Sequence, residues 1–260
     1  MGVLGWPVAH SRSPAMHNAA LRAVGLSDWR YQLLPVPPEA FEQTVRALPT
    51  AGFRGANVTI PHKRAALALA DGASGPAAAI GAANTLLFDD AGQSRAENTD
   101  APALIEALPF EPRGASALVL GAGGSARAAV WALLDAGAAE VFVWNRTPAR
   151  ARQLTAEIGG IAVDCAPPAD LLVNCTSIGL DAFDWTFKQF PLTADELSGY
   201  RCVTDLVYRD DGTALVHAAR QRGVAVVDGL ELLVAQGALS FEMFTGIAAP
   251  ISAMRTAVRP

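Results

Sequence analysis

The stretch SALVLGAGGSARAAVWALLDAG, residues 116–137, begins as an apolar strand, passes through a glycine-rich turn and ends as an alanine-rich helix. The turn is Gly121-Ala122-Gly123-Gly124-Ser125-Ala126, which matches the pattern GxGxx(G/A) with alanine in the last place. Glycines at such a turn let the backbone bend sharply and approach a pyrophosphate. The N–H groups at the helix start then hold its charge. A glycine pattern alone says little, but a strand before it and a helix after it supply the context that gives it meaning. Residues 116–137 therefore predict the first strand-turn-helix unit of a dinucleotide-binding domain.

The next strand selects the dinucleotide. EVFVW, residues 140–144, runs into Asn145-Arg146-Thr147, where an NAD-binding domain would carry an acid for the ribose 2′-hydroxyl. Here Arg146 stands in that place, with Arg150 one helical turn further on. An acid repels a 2′-phosphate, whereas guanidinium groups clasp it through charge-assisted hydrogen bonds. The cofactor predicted from these residues is NADP.

Outward from this unit, apolar strand-like runs alternate with helical patterns along the whole chain. The runs are VLG, YQLLPV, ANVTI and NTLLF in the first part, then SALVL, EVFVW, DLLVN, RCVTDL and VAVVD. Helical patterns cover 14–24, 38–48, 124–136, 149–158, 212–222 and 230–244. Such alternation predicts an α/β fold with mainly parallel sheet. The strands form two groups with a hinge in the region of Asp100 to Gly114. The two helical segments after Gly229 bring no strand of their own, so they are expected to return to the first domain, with a cleft between the two. The expected division is 1–100 with 229–260 as one domain and 101–228 as the other.

The bulk composition excludes several classes. With 20 basic against 25 acidic residues the net charge is −5, and the basic residues are scattered. That leaves no footprint for nucleic acid or an anionic membrane. No apolar run approaches the roughly 18 residues of a membrane helix. Cys165, Cys175 and Cys202 lack CxxC spacing and lie in apolar surroundings, so buried thiols in a reducing compartment are expected rather than disulfides or a metal site. With no charged-then-apolar leader at Met1, the expected location is the cytoplasm.

The first half carries the polar chemistry. The only lysines are Lys63 and Lys188, so 18 of the 20 basic residues are arginine. Lys63 closes NVTIPHK, residues 57–63, and lysine can give up a proton near working pH where arginine cannot. Ser13 precedes Pro14, the pattern of an N-cap followed by proline at the first helical position. Ser11 and Ser13 together also put two hydroxyls at a positive helix end, a seat for a carboxylate. Thr59 with Lys63, Asn84-Thr85 and Asn98-Thr99-Asp100 all fall at the ends of apolar runs, where α/β proteins bind substrate.

The set HSRSP, NVTIPHK, GAANT, NTD, GAGGSARA, NRT, NCTSIG, DLVY and DGLELLVAQGA resembles shikimate dehydrogenase, in matching order and over essentially the whole chain. The resemblance implies reversible, NADPH-dependent reduction of 3-dehydroshikimate to shikimate, in chorismate and aromatic amino acid biosynthesis. It implies an N-terminal α/β substrate domain, a Rossmann-type NADP-binding domain, and C-terminal helices that return to the first. Lys63 and Asp100 fall on the family's catalytic positions. Ser11, Ser13, Asn57, Thr59, Asn84, Asp100, Tyr208 and Gln236 fall on its substrate positions. Gly121, Ala122, Gly123, Gly124, Ser125, Ala126, Asn145, Arg146, Thr147, Arg150, Thr176, Leu206 and Gly229 fall on its cofactor positions. Departures are Arg209-Asp210 after Tyr208, Ala214 after Thr213, Leu232 where methionine is common, and no acid within Ala73 to Pro76. A ketone reduction needs a proton on oxygen, and Lys63 is expected to supply it, held in its charged form by Asp100. A quinate/shikimate dehydrogenase preferring NAD, a non-catalytic NADP-sensing module, and a relative acting on an amino analogue of shikimate or another small cyclic acid remain as rival readings. Arg146 and Arg150 speak against the NAD preference but not against quinate use, and both monomer and homodimer are open.

Overall fold

The computed structural model describes residues 1–180 and 186–259. The chain divides into two compact units, Met1–Asp100 with Leu233–Pro260, and Ala101–Leu232.

In the first unit the order is β1 (Gly2–Gly5), α1 (Ser13–Ala23), β2 (Gln32–Pro35), α2 (Phe41–Ala47), β3 (Gly55–Val58) and α3 (Lys63–Leu69). Then come β4 (Gly72–Ala73), α4 (Gly75–Ile80), β5 (Thr85–Phe88) and β6 (Ser94–Glu97). The sheet order is β2-β1-β3-β5-β6-β4. β1 is parallel to β2 and β3, and β4 to β6, while β5 runs antiparallel to both β3 and β6. The β5–β6 hairpin closes on Asp89, whose Oδ1 accepts from the N–H groups of Ala91 and Gln93. Strand β6 was not among the expected runs. Its sequence SRAE carries one buried apolar residue, Ala96, so no apolar alternation marks it. Helices α3 and α4 were missed for a related reason: their alanines bury against the sheet without giving a 3.6-residue apolar rhythm.

The second unit holds a wholly parallel sheet. α5 (Asp100–Ala107) leads to β7 (Ser116–Leu120), α6 (Gly124–Asp135), β8 (Glu140–Trp144), α7 (Pro148–Ile158), β9 (Ile161–Ala162) and β10 (Leu171–Asn174). α8 (Thr186–Gln189), β11 (Cys202–Asp205), α9 (Ala214–Gln221) and β12 (Ala225–Val227) follow. The order is β12-β11-β10-β7-β8-β9. Side chains alternate between two apolar layers. Ala117, Val119, Val141, Val143, Leu171 and Val173 lie in one with α6 and α7, and Leu118, Leu120, Leu172 and Val203 lie in the other with α9. A sheet buried on both faces must be written as continuous apolar strands, which is why SALVL and DLLVN lack polar alternation.

The last helices are α10 (Gly229–Thr245) and α11 (Ile251–Val258). Leu233 onward belongs with the first hundred residues, and α11 packs on α1. Close approach sets one glycine: a Cβ on Gly237 of α10 would come within 2.2 Å of Met16 Cε in α1.

Two expectations need correction. Ser13 is the first residue of α1, not its cap: Arg12 holds the N-cap place without a side-chain cap, and Ser11 Oγ accepts from the Ser13 N–H at 3.3 Å. Pro14 thus sits one place later than expected, which the absence of a required N–H in the first turn permits. Cys165 is exposed, because it lies in the loop between β9 and β10 rather than in a strand; Cys175 is half-buried and Cys202 buried.

His17 in α1 is fully buried, stacked on Tyr31 with ring centroids 4.1 Å apart, and neither ring nitrogen has a hydrogen-bond partner among the described residues. Burial lowers its pKa from 6.5 to about 3. The imidazole is therefore neutral when folded and takes up a proton on unfolding below pH 6.5. Its contribution is complete above that pH and is lost as pH falls towards 3. Between pH 7 and pH 5 the loss is about 2 kcal/mol. His17→Leu is expected to flatten the dependence of urea midpoint on pH across that interval; an unchanged slope would refute this.

Candidate active site

One edge of the first unit's sheet gathers the polar groups. Strands β1 and β3 run parallel and end there, leading into Ser11 and Ser13 and into Thr59 and Lys63. Because β5 is antiparallel to β3, it starts at the same edge, with Asn84 and Thr85; β6 returns to it and delivers Asn98, Thr99 and Asp100. Backbone bonds lock the edge: Val58 N–H donates to Asn84 O at 2.7 Å, and Thr59 N–H to Leu4 O at 2.8 Å.

Lys63, the first residue of α3, is 9% exposed. Its Nζ donates to Asp100 Oδ2 at 2.6 Å. Asn84 Nδ2 donates to Asp100 Oδ1 at 2.8 Å, so both carboxylate oxygens are engaged. Removing either charge from so enclosed a pair leaves the other uncompensated, which makes the pair interdependent. The residue before Lys63 is anchored separately: His62 is buried, stacked on Phe41 at 4.3 Å, with Nε2 at 2.7 Å from Val36 O. Gln236 of α10 joins the group. Its Nε2 donates to Leu233 O at 2.8 Å, which leaves Oε1 to face Asn84 Nδ2 at 3.4 Å. Ser11 Oγ donates to Ser13 Oγ at 3.2 Å, so the two hydroxyls lie together at the start of α1.

Lys63, Asp100, Asn84 and Gln236 are thus in direct contact, Ser11 and Ser13 form a pair, and Thr59 lies half-buried beside them on the same edge. Asn57 is buried beneath the edge: Oδ1 accepts from Tyr31 and Ser240, and Nδ2 donates to Thr85. Tyr208 belongs to the second unit, half-buried in the segment after β11. Tyr31 and Ser240 carried no motif, and Thr85 stood in GAANT without a role of its own; the part of all three is visible only from the partners they find.

In the second unit the expected cofactor residues all follow the carboxyl ends of strands. Gly121 follows β7, Asn145 follows β8, Thr176 follows β10, Leu206 follows β11 and Gly229 follows β12. Strand β7 has β10 on one side and β8 on the other, so chain order reverses at the glycine turn, the place where open parallel sheets bind ligands. Gly121 has φ +114, a conformation that glycine alone adopts readily, and a Cβ there would stand 3.2 Å from the Cys175 carbonyl. A Cβ on Gly123 would meet nothing within 4 Å, so the turn is open to an approaching group, with Gly124, Ser125 and Ala126 opening α6 behind it.

Arg146, Thr147 and Arg150 are exposed at the end of β8 and the start of α7, and the first turn of α7 contains no acid. Arginine at a helix N-terminus opposes the helix dipole, whereas a bound anion there would complement both. The residues present therefore fit a dinucleotide carrying a 2′-phosphate.

A buried carboxyl holds the neighbouring loops. Asp205 is fully buried and accepts from Asn174 Nδ2 at 2.9 Å, Val207 N–H at 3.0 Å and Thr213 Oγ1 at 2.5 Å. Burial pushes its pKa up to about 6 against the pull of those donors. Asn174 Oδ1 in turn accepts from the Thr176 hydroxyl at 2.7 Å, which fixes the turn after β10.

Three family models match in succession. They are the shikimate dehydrogenase substrate binding domain over residues 3–86, shikimate / quinate 5-dehydrogenase over 107–177, and the shikimate 5′-dehydrogenase C-terminal domain over 229–259. The shikimate dehydrogenase (NADP(+)) of Methylobacterium radiotolerans is 45% identical, over 94% of this chain and 90% of the relative. The crystal structure of shikimate 5-dehydrogenase from Thermus thermophilus in complex with NADP(H) and shikimate is 43% identical, with a TM-score of 0.86, and the match covers 98% of this chain and 97% of that one. The ligand-free 5-ketofructose reductase of a Gluconobacter strain is 28% identical, with a TM-score of 0.85, over 98% and 96%. With this identity maintained over nearly the full length of both chains, the protein belongs to the shikimate dehydrogenase family.

Proposed function

We propose that the protein catalyses the reversible, NADPH-dependent reduction of 3-dehydroshikimate to shikimate, as a cytoplasmic enzyme of aromatic amino acid biosynthesis. The observation that carries this reading is the enclosed Lys63–Asp100 pair, bonded at 2.6 Å with Asn84 on the second carboxylate oxygen. NADPH, when bound, supplies the hydride. Lys63 holds the proton that the carbonyl oxygen takes up, and recovers it from solvent afterwards; in the oxidising direction it accepts that proton. Asp100 keeps the ammonium in place and itself accepts from a substrate hydroxyl. Ser11 and Ser13 donate to the substrate carboxylate, aided by the start of α1. Thr59, Asn84 and Gln236 surround the ring hydroxyls, with Asn57 behind them rather than among them. Gly121 to Ala126, Thr176, Leu206 and Gly229 receive the dinucleotide, and Asn145, Arg146, Thr147 and Arg150 receive its adenosine 2′-phosphate.

Apart from Tyr208, which belongs to the second unit, the substrate groups lie in the first unit and the cofactor groups in the second. Because 5-ketofructose reductase shares the fold, the substrate must be tested against other polyols. Purified protein is expected to oxidise shikimate with NADP at a kcat/KM at least about 10²-fold above that with quinate or with NAD, since a pocket built to bond a given hydroxyl set rejects a mismatched one by two decades or more. A protein that binds NADP yet turns over neither acid would overturn the substrate assignment.

A further inference from the structure

Behind the Lys63–Asp100 pair, the hydrogen bonds form a chain in which every donor points the same way. The Tyr31 hydroxyl donates to Asn57 Oδ1 at 2.8 Å, and Asn57 Nδ2 donates to Thr85 Oγ1 at 3.1 Å. The Thr85 hydroxyl donates to Asn84 Oδ1 at 3.1 Å, and Asn84 Nδ2 donates to Asp100 Oδ1 at 2.8 Å. Tyr31, Asn57, Thr85 and Asn84 are all buried.

The direction follows from what each group can do. Asn84 Oδ1 also receives the Thr99 N–H at 2.8 Å, so a reversed amide would set donor against donor. Its Nδ2 must therefore face Asp100. Thr85 has one proton, and with the Asn57 amide donating to its oxygen, that proton goes to Asn84. Asn57 Nδ2 also faces the Asn84 backbone carbonyl at 3.4 Å, which can only accept, so Nδ2 lies on the Thr85 side and Oδ1 receives Tyr31 and Ser240. The phenol starts the chain, and its plane is set by the parallel stack on His17. Aligned bonds of this kind polarise one another in a dry interior, and the last donor in the row meets the carboxylate.

We propose that Thr85 and Tyr31 are positioning residues of the reduction: acting through Asn57 and Asn84, they hold the Asp100 carboxylate against Lys63. This rests on the role given above to that pair. Neither residue needs to touch substrate, so their loss falls on kcat rather than on cofactor binding.

The test compares Thr85→Val, which keeps the shape and removes the hydroxyl, with Thr85→Ser, which keeps the hydroxyl. Tyr31→Phe, Asn84→Ala and Asn84→Ala/Thr85→Val complete the series. Steady-state kinetics with shikimate and NADP, NADP affinity by fluorescence and thermal midpoints are measured for each. Thr85→Val is expected to lower kcat by roughly 5- to 10-fold, the effect of one hydrogen bond, with NADP affinity unchanged. Thr85→Ser is expected to return to within about 2-fold of wild type, and Tyr31→Phe to lose about 3-fold. In the Asn84→Ala background, Thr85→Val should add less than about 2-fold, because the two act in series.

The proposal is overturned if Thr85→Val and Tyr31→Phe fold with wild-type kcat. It is equally overturned if Thr85→Ser is as slow as Thr85→Val, or if the Thr85→Val effect persists in full without Asn84. Should Thr85→Val not fold, Tyr31→Phe alone and combined with Asn84→Ala carry the same comparison. Lys63→Ala in the same series separates the two readings. Wild-type turnover lost in Lys63→Ala but kept in Thr85→Val removes only the present proposal, whereas turnover kept in Lys63→Ala removes the role of the pair as well.

Discussion

Lys63→Ala is expected to reduce shikimate turnover by roughly 10²- to 10⁴-fold, the range for loss of a positioned acid-base group, while NADP still binds. The glycine turn and Arg146 belong to the second unit, whereas the substituted residue belongs to the first. Lys63→Arg is the sharper variant. It preserves the positive charge beside Asp100 but replaces a group that can release its proton with one that cannot, so it should be nearly as slow. If Lys63→Arg retained most of the rate, the lysine would be an electrostatic fixture and the proton would come from elsewhere. Both variants disturb an enclosed ion pair, 11% and 17% exposed at the two side chains, so some loss of stability is expected and the rates must be read at a temperature where each is folded.

The second large effect concerns the cofactor. Arg146→Ala with Arg150→Ala should raise KM for NADP by roughly 10²-fold. Each charge-assisted hydrogen bond to phosphate is worth about 1.5–3 kcal/mol, and the exposure of both side chains places the effect towards the lower end. The KM for NAD should stay nearly level, since NAD has no 2′-phosphate to lose. Raising the salt concentration should narrow the gap between wild type and variant with NADP and leave NAD unaffected. An equal loss for both dinucleotides would mean that the arginines act on the fold of the turn instead. Such an outcome would be surprising for exposed residues, whose substitution usually changes stability by no more than about 0.5 kcal/mol.

The second unit could be read almost entirely from one dimension. Its strands are buried on both faces, so they appear as unbroken apolar runs, and its glycine turn is local: Gly121 to Ala126 are consecutive, and Arg146 follows the very next strand. The first unit could be read only in part. NVTIPHK and NTD point to Lys63 and Asp100, yet the strand that brings Asp100 into place, β6, carries one buried apolar residue and gave no periodic signal. The capping assignment of Ser13 failed because Ser and Pro suit several neighbouring positions in a first turn, and only the backbone angles choose among them.

By itself, the sequence determined the α/β class and marked out the glycine turn, the arginines after the second strand of that unit and the unusual lysine, because each depends on residue type and short spacing. The tertiary structure alone decided that Lys63 meets Asp100, that β5 reverses so that Asn84 lands between them and Gln236, and that Tyr31 and Thr85 stand behind the pair. The contacts among Lys63, Asp100, Asn84 and Gln236 join residues 16 to 152 positions apart. Strand direction and the pairing of buried donors with acceptors settle them, and neither is a property of any short stretch of chain.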